Sequence, residues 1–268
     1  MDGGVFLDCL IRKYDVESSI ERVKGLYVAK YGGFYFESVF QPIVCSTGQY
    51  LGVEALVRIK NIITGESINP YCFFQSLKSD IDTTNFGTVC FGIHVRNFAQ
   101  SSHHRLKLFI NIPPVMFSTT YNHPTSIKDA IDRLRKEDLL LNDIVFEVTE
   151  FEDKHVSGLI SGVDQFRRCG IHIAIDDFGV DFSNEERVRL LSPDYIKLDK
   201  SLLDNYMEHD DPTLVDAIAF SKNEGATVIV EGVETKEQAD TLTNLGVEFM
   251  QGYYWGKPLS PHIPNLKS

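Results

Sequence analysis

The chain has little positive charge to offer a polyanion. Against 38 Asp and Glu it carries 26 Lys and Arg, a formal net charge of −12, which argues against a nucleic-acid polymer or an anionic membrane as the main partner, since both reward a basic face. A small phosphorylated ligand stays compatible with that charge if metal ions supply the positive counterpart. Cysteine is scarce and scattered. Cys9, Cys45, Cys72, Cys90 and Cys169 are odd in number and never form a Cys-x-x-Cys pair, so neither a disulfide framework nor a zinc site is indicated, and a reducing cytosol fits. No apolar run reaches membrane-spanning length and no basic-then-apolar leader opens the chain, so a cytoplasmic protein without anchor or secretion signal is expected. No internal repeat is visible, which excludes a solenoid. What remains is 268 residues at 43% hydrophobic, enough for one large domain or two small ones.

Within that chain, Ile171-His172-Ile173-Ala174-Ile175-Asp176-Asp177-Phe178-Gly179 is an apolar run ending in two adjacent carboxylates. Such a run between Gly170 and Gly179 suits a strand covered on both faces. Neighbouring strand residues point to opposite sides, so both aspartates can face one site only where the strand ends and the backbone turns, which Gly179 permits. On its own the pair also fits a strand end that caps a helix.

Before this strand, Asp15 reads as the cap of a helix over Val16–Lys30 that stops at Gly32-Gly33, a packing or linking element or else an interface helix. From Phe34 the pattern turns to strands. Tyr35–Val44 and Tyr50–Lys60 flank a short loop, too short for a parallel crossover, so as neighbours they run antiparallel. In the second, period two puts Glu54, Leu56 and Arg58 on one face. Leu106–Ile112 ends in Asn111 before two prolines, and Asp143–Glu150 holds Glu147 inside an apolar run. A lone buried glutamate demands a cation or a raised pKa. Helices are expected over Ile127–Leu140, His155–Cys169, Asn184–Leu191, Pro212–Asn223 and Lys236–Leu245, and strands over Tyr195–Asp199, Thr227–Val233 and Phe249–Tyr254. Eight strands alternating with helices give an α/β fold, a TIM-like (β/α)8 barrel, with polar residues at the strand ends where such barrels carry chemistry.

Glu54, Asn111, Glu147, Asp176, Asp177, Lys197, Glu231 and Gln251 thus come from seven strands. None is a histidine or cysteine, which suits hard cations, Mg2+ or Mn2+, rather than zinc. Two such ions would clamp a phosphodiester and lower the pKa of a water.

The residues in this order resemble the EAL domain, a family of cyclic di-GMP phosphodiesterases. The resemblance runs from about Phe34 to Pro261 through Gln41-Pro42-Ile43-Val44, Glu54-Ala55-Leu56-Val57-Arg58, Phe146-Glu147-Val148-Thr149-Glu150, Asp176-Asp177-Phe178-Gly179, Asp194-Tyr195-Ile196-Lys197-Leu198-Asp199, Glu231-Gly232-Val233-Glu234-Thr235 and Gln251-Gly252-Tyr253. It implies a barrel over residues 34–262 with an antiparallel first strand, flanked by a helical extension (1–33) and a tail (263–268). It also implies hydrolysis of cyclic di-GMP to linear pGpG with two Mg2+ or Mn2+ ions, and a homodimer formed through the barrel. By the same resemblance Glu54, Asn111, Glu147 and Asp176 match ligands of the first metal and Asp177 a ligand of the second. Lys197 matches the lysine that holds the catalytic water, with Glu231 and Gln251 completing the catalytic set. Arg58, Gln41 and Gln251 match substrate-binding positions, and Glu150 matches the anchor of the loop after the paired aspartates. That loop departs from the family pattern at Val180-Asp181 and Glu185, which opens a second reading: an EAL-type module without turnover that binds the nucleotide or a protein partner.

Overall fold

The computed structural model describes residues 16–122, 124–149, 156–179 and 184–261. By contacts the chain divides into two units, one made of Met1–Phe40, Ala55–His104 and Leu259–Ser268, the other of Gln41–Glu54 and Arg105–Pro258.

In the first unit, the helix expected over Val16–Lys30 is replaced by a hairpin of β1 (Ile20–Val23) and β2 (Leu26–Tyr31). Its two-residue turn has Lys24 at φ 50° and Gly25 at φ 89°, the double left-handed geometry that matches the twist of paired strands. Ile20, Val23 and Tyr27, which a helix would place on one side, lie instead in these short strands. Gly32 and Gly33, expected to stop a helix, form a second such turn (φ 58° and 86°) into β3 (Phe34–Cys45), where Ala29 pairs with Phe36. The remaining elements of this unit are the far part of β4 (Tyr50–Asn61), β5 (Ser67–Ile68), α1 (Pro70–Ser76) and α2 (Asp80–Ala99). Asn69 and Ser79 cap the two helices, each accepting from backbone N–H groups of the first turn, which satisfies donors the helix leaves open. Phe86, Val89, Cys90 and Ile93 form the inner stripe of α2, packed with Phe36, Val57, Ile59 and Phe73. Phe73 meets Phe34, Phe36 and Phe86 edge to face, the arrangement that ring quadrupoles favour.

The second unit holds β6 (Lys107–Ile112), α3 (Pro114–Asn122), α4 (Pro124–Lys136), β7 (Ile144–Val148), α5 (Val156–Arg168), β8 (His172–Phe178), α6 (Asn184–Leu191) and β9 (Tyr195–Leu198). It continues with α7 (Lys200–His209), α8 (Thr213–Asn223), β10 (Thr227–Val230), α9 (Lys236–Asn244) and β11 (Phe249–Gln251). The strand order β3-β11-β10-β9-β8-β7-β6-β4 returns to β3, closing an eight-stranded barrel. The pairs from β6 to β11 that share a register are parallel, while β3 is antiparallel to β11. The first strand is therefore reversed, as the short loop between β3 and β4 requires.

One layer of side chains fills this barrel. Ile43, Phe109, Val145, Ala174, Tyr195 and Ile229 are buried together, with Leu51 and Phe249 packed against them, one residue from each of the eight strands. Side chains of a strand alternate between faces, so two residues further toward the same rim each strand points inward again. From Phe109 this step reaches Asn111, from Val145 Glu147, from Ala174 Asp176, from Tyr195 Lys197, from Ile229 Glu231 and from Phe249 Gln251. In the reversed β3 it runs from Ile43 back to Gln41. An apolar plug and a polar rim are thus set by one period. β4 alone breaks it, with Glu54 three residues after Leu51 and Gly52 between them, where an added Cβ would lie 2.4 Å from the Lys107 carbonyl.

Candidate active site

The rim residues converge on the ammonium of Lys197, which is 1% exposed. Its Nζ lies 2.6 Å from Glu231, 2.9 Å from Asp176, 3.2 Å from Glu147 and 3.3 Å from Glu54. Asn111 Nδ2 donates to Glu54 Oε1 at 2.8 Å and Gln251 Nε2 to Glu54 Oε2 at 2.6 Å. Gln251 Nε2 also approaches Gln41 Oε1 at 3.3 Å, and Gln41 donates in turn to the carbonyl of Gly256. The Glu54 carboxylate is therefore fixed by an amide on each oxygen.

Asp176 and Asp177 both reach this rim by a device that differs from the expected turn at Gly179. The ladder between β8 and β9 shifts register between Ile175 and Phe178, and Asp177 takes the left-handed φ of 54°. Such a bulge turns a side chain that strict alternation would aim the other way. Oxygens of Asp176, Asp177 and Glu231 consequently all lie within 4.8 Å of one another. Gly179 has its own reason to be glycine, since at φ 108° an added Cβ would lie 2.4 Å from Leu202.

Five carboxylates share this rim with the one ammonium among the described residues. An ammonium has three protons to donate. Glu147, wholly buried, has no hydrogen-bond donor for either oxygen: Oε1 stands at ion-pair distance from Lys197 without a hydrogen bond, and Oε2 has no partner. Burial pushes the Glu147 carboxyl well above the usual range; Lys197 opposes the shift, and Glu54, Asp176 and Glu231 add to it. Glu231 is raised to about 8 by burial, against the pull of Lys197 and with the help of Asp176 and Glu54. Burial alone would lower Lys197, but Asp176, Glu147, Glu231 and Glu54 outweigh it and hold the lysine well above its ordinary value. A cluster of oxygen donors with a buried orphan carboxylate fits divalent cations of the Mg2+ or Mn2+ type, which take carboxylate and amide oxygens.

Not every expected site residue joins this group. Arg58 is exposed and belongs to the first unit, where its Nη1 donates to the carbonyl of Val57. Gln41 is 9% exposed and engages Gln251 rather than open solvent. Glu150 and Val180-Asp181 lie outside the described residues. Glu185 sits in the first turn of α6 and pairs with Arg189 at 2.8 Å on the surface, a solvated contact. A residue that the sequence did not mark is Arg187, whose side chain turns inward from α6 and donates to the Val148 carbonyl. The signal was its place beside Val188 and Leu191, which form the buried stripe of that helix.

The barrel thus has one reversed strand and a rim of carboxylates around a buried lysine, a set of oxygen donors that could hold a divalent cation. Residues 34–258 match the EAL domain family, and the chain belongs to that family. It is 29% identical over 238 residues to the oxygen sensor protein DosP of Escherichia coli, covering 86% of this chain and 29% of DosP. It is likewise 29% identical over 250 residues to the cyclic di-GMP phosphodiesterase PdeL of Escherichia coli, covering 87% of this chain and 64% of PdeL. The chain thus spans less than two thirds of either relative. Among solved structures, a standalone versatile EAL protein from Vibrio cholerae in its c-di-GMP-bound form superposes with a TM-score of 0.72 at 26% identity, over 87% of this chain and 95% of that one.

Proposed function

We propose that the chain is a metal-dependent phosphodiesterase that hydrolyses cyclic di-GMP to linear pGpG. The observation that carries this reading is the convergence of Glu54, Glu147, Asp176 and Glu231 on Lys197 with Glu147 left without a donor. Glu54, Asn111, Glu147 and Asp176 would hold one Mg2+ or Mn2+, and Asp177 a second. The ions would supply positive charge to the phosphodiester and acidify a bound water.

The protein's own groups have separate tasks. Asn111 spends its amide on Glu54 Oε1, which leaves its oxygen as the ligand atom. Gln41 and Gln251 orient Glu54 from the opposite side. Lys197, kept charged by four carboxylates, holds the attacking water by donating to it and balances the rim. Glu231, 2.6 Å from Lys197 Nζ and with an oxygen within 4.8 Å of those of Asp176 and Asp177, is placed to take the proton that the water gives up.

The test is incubation with cyclic di-GMP and Mn2+ or Mg2+, followed by chromatography. Linear pGpG is the expected product. Unchanged nucleotide together with measurable nucleotide binding would instead make the chain a receptor of the same ligand.

A further inference from the structure

We propose that Arg187 is a positioning residue that sets the metal affinity of the Asp176–Asp177 rim, an inference that rests on the function proposed above. The pairing registers place it there. Val148, whose carbonyl accepts from Arg187 Nη2, pairs with Ile175 of β8. Glu147 stands one residue before Val148, and Asp176 one residue after Ile175. The guanidinium therefore binds the backbone at the row that separates two expected ligands on adjacent strands.

This row is also where ordinary sheet bonding runs out. β7 ends at Val148, and the β8–β9 ladder is interrupted between Ile175 and Phe178, so Asp176 and Asp177 lack the paired backbone that fixes Glu147 from both sides. A carboxylate on a bulge is only as well placed as the segments at its two ends. Arg187 ties one of those ends, since it belongs to α6, the helix that follows the paired aspartates, and it is 9% exposed. Val188 and Leu191 seat the same helix in apolar contact, but apolar packing tolerates a slide that a directed bond to one carbonyl does not.

The test uses the full chain and Mn2+ alone as the probe. Manganese is titrated into chelated protein, with bound and free ion followed by electron paramagnetic resonance and Tm recorded in parallel. Arg187→Met, which keeps volume and removes the donors, should weaken Mn2+ binding by about tenfold, the range found when a group that orients a ligand is lost. Arg187→Lys, which keeps charge and one donor and should fold even if Met does not, should regain most of that affinity. Unchanged Mn2+ affinity in Arg187→Met, or a tenfold loss in Arg187→Lys as well, would overturn the proposal and leave Arg187 a structural tie. Absence of Mn2+ binding by the parent would overturn it together with the metal-site reading on which it rests, so the two failures are told apart.

Discussion

Lys197→Met isolates the charge at the centre of the rim. Methionine fills nearly the same volume, so the change removes an ammonium that is 1% exposed and ion-paired to four carboxylates. Breaking a buried pair by deleting one partner costs about 3–5 kcal/mol, and at this chain length about 1 kcal/mol moves Tm by about 2–4 °C. A fall of about 10 °C is expected for the metal-free variant by these two figures. Uptake of protons by Glu147 and Glu231, both already raised, limits the fall at low pH and leaves it largest above the range where they titrate. Manganese at 100 times its Kd stabilises by about 2.7 kcal/mol, and it no longer meets a competing ammonium in the variant, so the gain in Tm on adding Mn2+ should be larger for Lys197→Met than for the parent. Catalysis should not return with the metal, because the group proposed to donate to the attacking water is gone; a rate loss of about a hundredfold or more is expected. Scanning calorimetry with and without Mn2+ reads the first two effects. A metal-free Tm within about 2 °C of the parent, well under what the buried pair implies, would refute the argument that this lysine holds the carboxylates together.

Three further outcomes follow from the same rim and from one buried histidine. Glu54→Ala and Glu147→Ala should each lower turnover by on the order of a thousandfold or more in a chain that still folds; unfolding of either variant would point to a structural role instead. Glu231 is protonated up to about pH 8 in the fold but only to about pH 4.3 when unfolded. The folded state therefore binds the extra proton between these values, and metal-free stability should decline as pH rises from about 4.3 through 8 by a few kcal/mol. Excess Mn2+ should flatten that slope, as followed by urea unfolding. His94, buried and bonded through Nδ1 to Ser38 at 2.8 Å, is lowered to about 3 by burial, so its contribution is intact above the unfolded value of about 6.5 and is lost as pH falls toward 3. Replacement His94→Gln should reduce the loss of Tm between pH 6.5 and 4, and an unchanged acid limb would count against the histidine.

Much of the second unit was legible because its strands are short, apolar and punctuated. Ile171–Gly179 and Tyr195–Asp199 gave β8 and β9, and Asn184–Leu191 matches α6 at both ends. The rim could be read one residue per strand because a lone Glu147 or Lys197 in a β-branched run has little structural excuse. The bulge at Asp176–Asp177 was not legible, since a register shift depends on the neighbouring strand. Near the N-terminus the helical spacing of three apolar residues outweighed two glycine-containing turns, although Lys24-Gly25 and Gly32-Gly33 carried the hairpin signal. In α2 the stripe of Phe86, Val89, Cys90 and Ile93 is interrupted by Gly87 and Gly92, interior glycines that weaken a helical signal. Arg187 was hidden for another reason: a charged residue in an amphipathic helix reads as surface until the fold turns it inward.

The central claim is that the carboxylate rim works by holding divalent cations. Chelated protein titrated with Mn2+, with bound metal and release of pGpG from cyclic di-GMP followed in the same samples, tests it most directly. The account predicts no turnover without metal, activity that rises as two ions bind per chain, and poor replacement by Ca2+, whose longer and looser coordination polarises water less. Full turnover in excess EDTA would contradict it.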